Sequence, residues 1–432
     1  MITTSNKHYP RINLKIFAIY YIYIALVDPI LYEIGALGAM RTMINYFMII
    51  TLFAWSLQLY TSRIKELSWE NRVFLNRIIY VVFMYCALLV AQLVINPKSS
   101  TIDTCRQIIV FMMPGTCLII VAFLYSAKSE IAANKIIQLA YFLIVTTVLI
   151  SFFSNLGADK AQRLAGVAGS SNELGFIAST CIIMNLLIGL NYIKVFRNKI
   201  IISGISMMAF LQIVYSGSYG AAMLCVSSVC LIPILSSRLK KQAKITISLV
   251  VAFIAMFIIV VNINPEKVNF KAQKLLRGLQ ARDFSVAIEG STLDLRGEVN
   301  KQAVDKIWRR PLLGYGLDNR RAKKYSPEVR HLRKSVHNAF LGSAITTGIF
   351  SSLTIIFLYF VTLKRIKALN NPMFRIAALT LLFSLFYWDN LCTWYIIFRD
   401  GLHSYVIIIC LLLLDMHTTN AIAEKQTGKE AS

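Results

Sequence analysis

Residues 73–95 read VFLNRIIYVVFMYCALLVAQLVI, and the only charge among them is Arg77. A helix crossing the hydrocarbon core of a bilayer needs about 20 mostly apolar residues, and this stretch supplies them without a break. It is one of about twelve such runs. The others are 14–34, 40–60, 106–126, 135–155, 173–193, 199–216, 218–236, 245–263, 338–363, 374–391 and 401–416. The fold they predict is all-α: a polytopic membrane protein with about twelve transmembrane helices and one large helical periplasmic loop.

Composition agrees. The chain is 57% hydrophobic and only 15% charged, with a mean hydropathy of +0.62. A soluble chain carries about 25% charged residues, so these charges are too few to cover a water-facing shell. A net charge of +24 would suggest nucleic acid in a soluble protein. Here much of it reports topology, because cytoplasmic loops retain Lys and Arg, and no nucleic-acid partner is expected. With the N-terminus inside, the clusters Arg63/Lys65/Arg72, Lys194/Arg197/Lys199, Arg238/Lys240/Lys241/Lys244 and Lys364/Arg365/Lys367 all fall in the cytoplasm. Twelve crossings return the C-terminus there too, which predicts a multi-pass inner-membrane protein with both termini cytoplasmic. The division expected is helices one to nine over 1–263, a loop over 264–337, helices ten to twelve over 338–416 and a polar tail over 417–432. Lys7 and Arg11 precede the first run and Lys15 lies at its start, ahead of the apolar stretch, which reads as a retained helix rather than a cleaved signal.

Two local features qualify the spans. Asp28-Pro29 interrupts the first and predicts a kink. Ser216-Gly217-Ser218-Tyr219-Gly220 separates 199–216 from 218–236 and predicts a tight helical hairpin. The eight cysteines form no CxxC pair. Most lie inside apolar runs, as Cys86, Cys117, Cys181 and Cys410 do, and read as packing residues. A disulfide between Cys105 and Cys392 stays open.

The loop at 264–337 breaks the charge rule. It has seventeen Lys and Arg against eight Asp and Glu, although it is expected outside. Long translocated loops escape the rule, so this charge points to an anionic substrate or to anionic lipid headgroups. Ser291-Thr292-Leu293-Asp294 reads as a capping box. Leu295, Val299, Ala303 and Ile307 then recur at helical spacing up to Pro311. Arg296 lies near the start of that amphipathic stretch and Trp308 near its end. Gly314-Tyr315-Gly316 follows as a turn, then the basic patch Arg320, Arg321, Lys323 and Lys324. The loop closes on His337-Asn338 at the mouth of the next span.

Arg binds phosphate through two parallel hydrogen bonds and stays charged. Arg41, Arg106, Arg163, Arg399 and the loop arginines gathered at one membrane surface would suit a lipid-linked pyrophosphate; any one of them could instead be a headgroup anchor. His337, one of five histidines, could take a proton from an attacking hydroxyl, and a helix N-terminus favours its neutral form. The alternative is a histidine simply hydrogen-bonded at a helix start. There is no DxD sequence, P-loop, serine elbow or dinucleotide fingerprint. Gly166, Gly169 and Gly175 around Asn172 read as a loop entering a helix, with Ser171 or Asn172 as its cap.

These pieces, in this order, resemble the O-antigen ligase/polymerase superfamily of bacterial envelope glycosyltransferases. The resemblance rests on the layout with a large outer loop before span ten and on Arg163-x-x-Gly166 with Asn172 leading into a helix. It rests also on Leu295-Arg296-Gly297 followed by Trp308-Arg-Arg-Pro311-Leu-Leu-Gly314-Tyr-Gly316. His337-Asn338, a nine-residue spacer and Gly348 resemble the ligase signature. Two positions depart from it: Ser218-Tyr219-Gly220 stands where the family often has Ser-Arg-Gly, and Ser351 stands where Gly, Thr or Tyr is usual. Both tilt the reading towards the polymerase branch.

The resemblance implies glycosyl transfer on the periplasmic face from an undecaprenyl-pyrophosphate-linked glycan, with no cofactor, metal or nucleotide. His337 and Arg296 would be the catalytic residues. Arg163, Asn172, Asn338, Arg320 and Arg399 would bind substrate. Membrane lipid, a chain-length regulator and a flippase are the other partners it implies. A lipid-linked sugar transporter is the main rival, but transporters usually show paired halves with broken helices at mid-membrane. A non-catalytic partner of an export machine is the third option.

Overall fold

A computed structural model describes residues 14–33, 38–95, 101–126, 130–156, 171–190, 198–216, 218–235, 292–316, 336, 338–367 and 372–391. The described residues are about 94% helical, with no strand among them. The expected spans 245–263 and 401–416 lie outside them, as do the tail and Cys392. Seven of the described helices are long and apolar enough to cross a membrane by length and composition.

The first run is α1 (Leu14–Ile22), a π-helical turn (Tyr23–Val27) and α2 (Asp28–Glu33). Proline cannot donate to the preceding turn and its ring crowds that turn's carbonyl. The wider π turn just before Asp28-Pro29 absorbs this, so the predicted kink takes the form of a bulge. The next helix, α3 (Gly38–Arg63), closes over it: Asp28 Oδ1 accepts from Arg41 Nε and from Asn45 Nδ2, both at 2.7 Å. The structure therefore gives Arg41, one of the arginines expected at the outer surface, an internal ion-pair partner.

Next come α4 (Trp69–Ile95), α5 (Thr101–Arg106) continued by a π turn (Gln107–Met112) into α6 (Met113–Ser126), and α7 (Glu130–Leu156). Helix α8 (Ser171–Gly189) forms the centre of the bundle. It has no charge after Glu173 and is apolar all round, as a helix surrounded by protein must be. It packs against α7, α9 (Lys199–Ser216) and α10 (Tyr219–Leu235). Leu174, Ala178, Ser179, Cys181, Ile183, Met184 and Leu187 are fully buried along it.

Polar side chains tie the centre together. Asn185 Oδ1 accepts from the Tyr141 hydroxyl at 2.6 Å, and its Nδ2 donates to Ser206 Oγ at 2.9 Å. Such bonds hold helices together where lipid supplies no hydrophobic drive between them. The hairpin break is real: Ser216 Oγ accepts from the Ser218 amide at 3.3 Å, and Ser218 Oγ accepts from the Ala221 amide at 3.4 Å. Helices α9 and α10 make their main contacts with α8 rather than with each other.

After 235 the description resumes at α11 (Thr292–Arg309), then α12 (Ala339–Thr347), α13 (Ile349–Lys367) and α14 (Pro372–Leu391). The run expected as one span over 338–363 is therefore divided at Gly348. At the far end of α13, Arg365 pairs with Glu70 Oε2 at 2.7 Å and also donates to Asn71 Oδ1. The basic groups following α3 and those closing α13 thus lie on one face of the bundle.

Candidate functional site

The site is best built outward from Gly348. Helix α11 presents Ala303 and Ile307 to Val336, Ala344 and Ile345, forming a small apolar core separate from that of the main bundle. Those two belong to the repeat that predicts an amphipathic helix, and Val299 packs partly against the same cluster. Helix α11 ends at Arg309, short of Pro311. The chain then turns back, and its backbone bonds to the segment leaving α12. The Tyr315 amide donates to Ile345 O and the Gly316 amide to Thr346 O, and the Ile349 amide donates to Pro311 O, all at 2.7 Å.

The two backbones approach so closely because both facing residues are glycine. A Cβ on Gly348 would lie 2.1 Å from Leu312 O, and one on Gly314 would lie 2.7 Å from the Gly348 amide nitrogen. Gly348 also has a φ of 86°, in the left-handed region where a side chain costs free energy. Trp308-Arg-Arg-Pro311-Leu-Leu-Gly314-Tyr-Gly316 and the glycine that follows the nine-residue spacer thus form two halves of one backbone clasp.

Asn338 opens α12. Its Oδ1 accepts from the Leu341 amide at 3.0 Å as an N-cap, and its Nδ2 donates to Asn390 Oδ1 at 3.2 Å. Next to Asn390 is Asp389, 1% exposed. Asp389 Oδ2 accepts from the Tyr359 hydroxyl at 2.6 Å, and its Oδ1 has no hydrogen-bond partner among the described residues. Trp388, beside it, stacks on Phe176 with ring centroids 4.5 Å apart. Phe176 is one turn into α8 from Asn172, which is half-buried in the first turn. The start of α8, the start of α12 and the end of α14 therefore lie on the same side of the bundle. Gly175 lets the turn between α9 and α10 join them, because a Cβ there would lie 2.8 Å from those of Ser218 and Ala221.

Of the residues expected to catalyse or to bind substrate, the structure describes Asn172, Asn338 and the helix that carries Arg296, in its second turn; of the further arginine candidates it describes Arg41, paired with Asp28, and Arg106, at the end of α5. His337, Arg163, Arg320 and Arg399 lie outside the described residues, as does the side chain of Arg296. Asp389, Asn390 and Tyr359 are not among the candidates drawn from the sequence. The available signal was an acid near the end of an otherwise apolar span, where ionisable groups are costly and usually functional.

Apolar helices of spanning length define a multi-pass membrane protein, and a polar cluster at one end of its bundle is the candidate site. Residues 204–356 match the family model described as O-antigen ligase. The match runs from α9 into α13 and includes both halves of the clasp. It bears out the resemblance to the O-antigen ligase/polymerase superfamily, whose members transfer glycans in envelope polysaccharide synthesis. No curated protein matches the chain.

Proposed function

We propose that this protein polymerises undecaprenyl-pyrophosphate-linked oligosaccharide repeat units on the periplasmic face of the inner membrane, yielding an exopolysaccharide, capsule or O-antigen. The observation that carries this reading is the gathering of the α12 N-terminus, Asp389-Asn390 and the clasped α11 at one end of the bundle. The twelve-span topology, with both termini cytoplasmic and 264–337 periplasmic, belongs to the same proposal. It puts the Arg365 end inside and the Asn338 end outside.

The reaction is a direct displacement. The acceptor hydroxyl loses its proton to the His337 imidazole while its oxygen bonds to the anomeric carbon of the donor. The bond from that carbon to the pyrophosphate oxygen breaks, and undecaprenyl pyrophosphate departs with the electron pair. Arg296, Arg163, Arg320 and Arg399 hold the charge that develops on the leaving group. Asn338 orders the segment that carries His337 by capping the helix after it, and Asn172 offers an amide to the glycan from the start of α8. No metal ion takes part.

The reading that the enzyme is a ligase, passing the glycan to lipid A-core, is favoured by the description of the matched family. Deleting the gene separates the two: loss of a polymerase leaves single repeat units on the surface, whereas loss of a ligase leaves long chains on the lipid carrier. His337→Ala and Arg296→Ala should each abolish long-chain product while membrane insertion stays normal, read on polysaccharide gels alongside immunoblots of the membrane fraction. Wild-type chain length in both variants would remove the catalytic assignment.

A further inference from the structure

The clasp fixes more than the site, because it sets the height of the outer segment relative to the bilayer. Helix α13 has 19 residues, which at 1.5 Å per residue is about 28 Å, close to the thickness of a hydrocarbon core. Its last turn carries Lys364, Arg365 and Lys367, so its first residue lies at the opposite boundary. That residue is Ile349, whose amide bonds to Pro311 O at 2.7 Å. Pro311 and its neighbours are therefore held at the level where lipid tails give way to headgroups.

At that level the segment shows an apolar surface. Trp308 is 70% exposed, Leu312 58% and Leu313 44%, although Ala303 and Ile307 on the other face of α11 are buried. Val304 is also exposed, one turn before Trp308 on the same face. Cations border the patch: Arg309 and Lys301 are exposed, and the Arg310 guanidinium lies 5.1 Å from the centroid of the Tyr315 ring. Tryptophan prefers the headgroup level, and basic groups there attract anionic lipid.

We propose that Trp308, Leu312 and Leu313 insert into the headgroup–acyl boundary of the bilayer, with Arg309 and Arg310 on phospholipid phosphates. The outer segment is thereby seated on the membrane at one edge and clasped to the bundle at the other. This rests on α13 crossing the membrane, not on the transfer reaction, so either reading can fail without the other.

The full chain is reconstituted in vesicles of phosphatidylethanolamine and phosphatidylglycerol, and the emission of Trp308→Phe is subtracted from that of the wild type. The difference reports Trp308 alone. Phospholipid brominated near the headgroup should reduce it by about half, and bromine near the chain terminus should do much less, because tryptophan prefers the interface. Acrylamide should quench it weakly, and Leu312→Ser with Leu313→Ser should shift it to the red. Quenching by acrylamide but not by bromine would put the patch in water and overturn the proposal. Protection from both would mean that protein covers it, with the same consequence. Relief of bromine quenching on adding polyprenyl phosphate would assign the surface to that chain instead. If the Trp308→Phe variant does not insert, Trp308→Tyr supplies the reference instead, and a difference emission that is already red-shifted would overturn the proposal.

Discussion

Two regions of this molecule are held together by opposite means. Around Asn185, α8 meets α7 and α9 through side chains: one amide bridges Tyr141 and Ser206 inside a continuous apolar core. Around Gly348 the contact is backbone on backbone, between the segment following α11 and a broken apolar run, with an apolar core of only five buried residues beside it. Side chains in the bundle share the load among many contacts and can yield a little. Three backbone hydrogen bonds across a pair of glycines cannot take up an added atom. A change at the clasp should therefore remove function from a protein that is still inserted. A change at the hub should lower stability and leave function in whatever protein folds.

The largest effect is expected from Gly348→Ala. The new methyl would fall 2.1 Å from Leu312 O, at a φ of 86° that is strained for alanine whatever the space. The clasp must open, and α12 loses its register with α11. Long-chain product should be lost, with membrane levels of the protein close to wild type. If the variant makes wild-type chains, the clasp does not position the site. If it disappears from the membrane, the clasp supports the bundle itself and the two regions do not differ in kind.

A smaller effect, of a different kind, is expected from Asn185→Ala. It leaves the Tyr141 hydroxyl and Ser206 without their shared partner in a buried setting. Polar bonds between membrane helices contribute about 0.6–2 kcal/mol, so the variant should melt earlier in detergent by a few degrees. Product per folded molecule should be unchanged. A loss of activity without a loss of stability would place the hub in the mechanism instead.

These regions also differ in how legible they were. Apolar run length revealed the helices of the bundle, and Asp28-Pro29 marked the bend in the first. The spacing of Leu295, Val299, Ala303 and Ile307 located α11 and stopped it before Pro311. The break at Gly348 was hidden, because 338–363 reads as one apolar run with no proline, and glycine alone does not end a membrane helix. What breaks the helix is a hydrogen bond from Ile349 to Pro311, 38 positions earlier in the chain, and local pattern cannot carry that. The glycine of the resembling signature was recognised in the sequence, but the structure supplies its physical reason. Asp389 was visible as an acid, but its bond to Tyr359 and its place beside Asn390 depend on how α13 and α14 pack.

The smallest effect sharpens the contrast most. Gly342 lies in α12 between Asn338 and Gly348, and a Cβ built there meets nothing within 4 Å. Gly342→Ala adds the same methyl as Gly348→Ala, to the same short helix, where φ is ordinary and space is open. Replacing glycine by alanine inside a helix usually stabilises it, by about 0.5–1 kcal/mol. Chain length should stay wild-type, with a melting temperature equal to or slightly above that of the parent. That pairing shows whether α12 is intolerant everywhere or only where the backbones touch. Loss of product from a stable Gly342→Ala protein would have a separate meaning. Gly342 is one turn beyond Asn338 on the same face of α12, so the open space beside it would then be occupied by substrate, and the site would extend along the helix instead of ending at its cap.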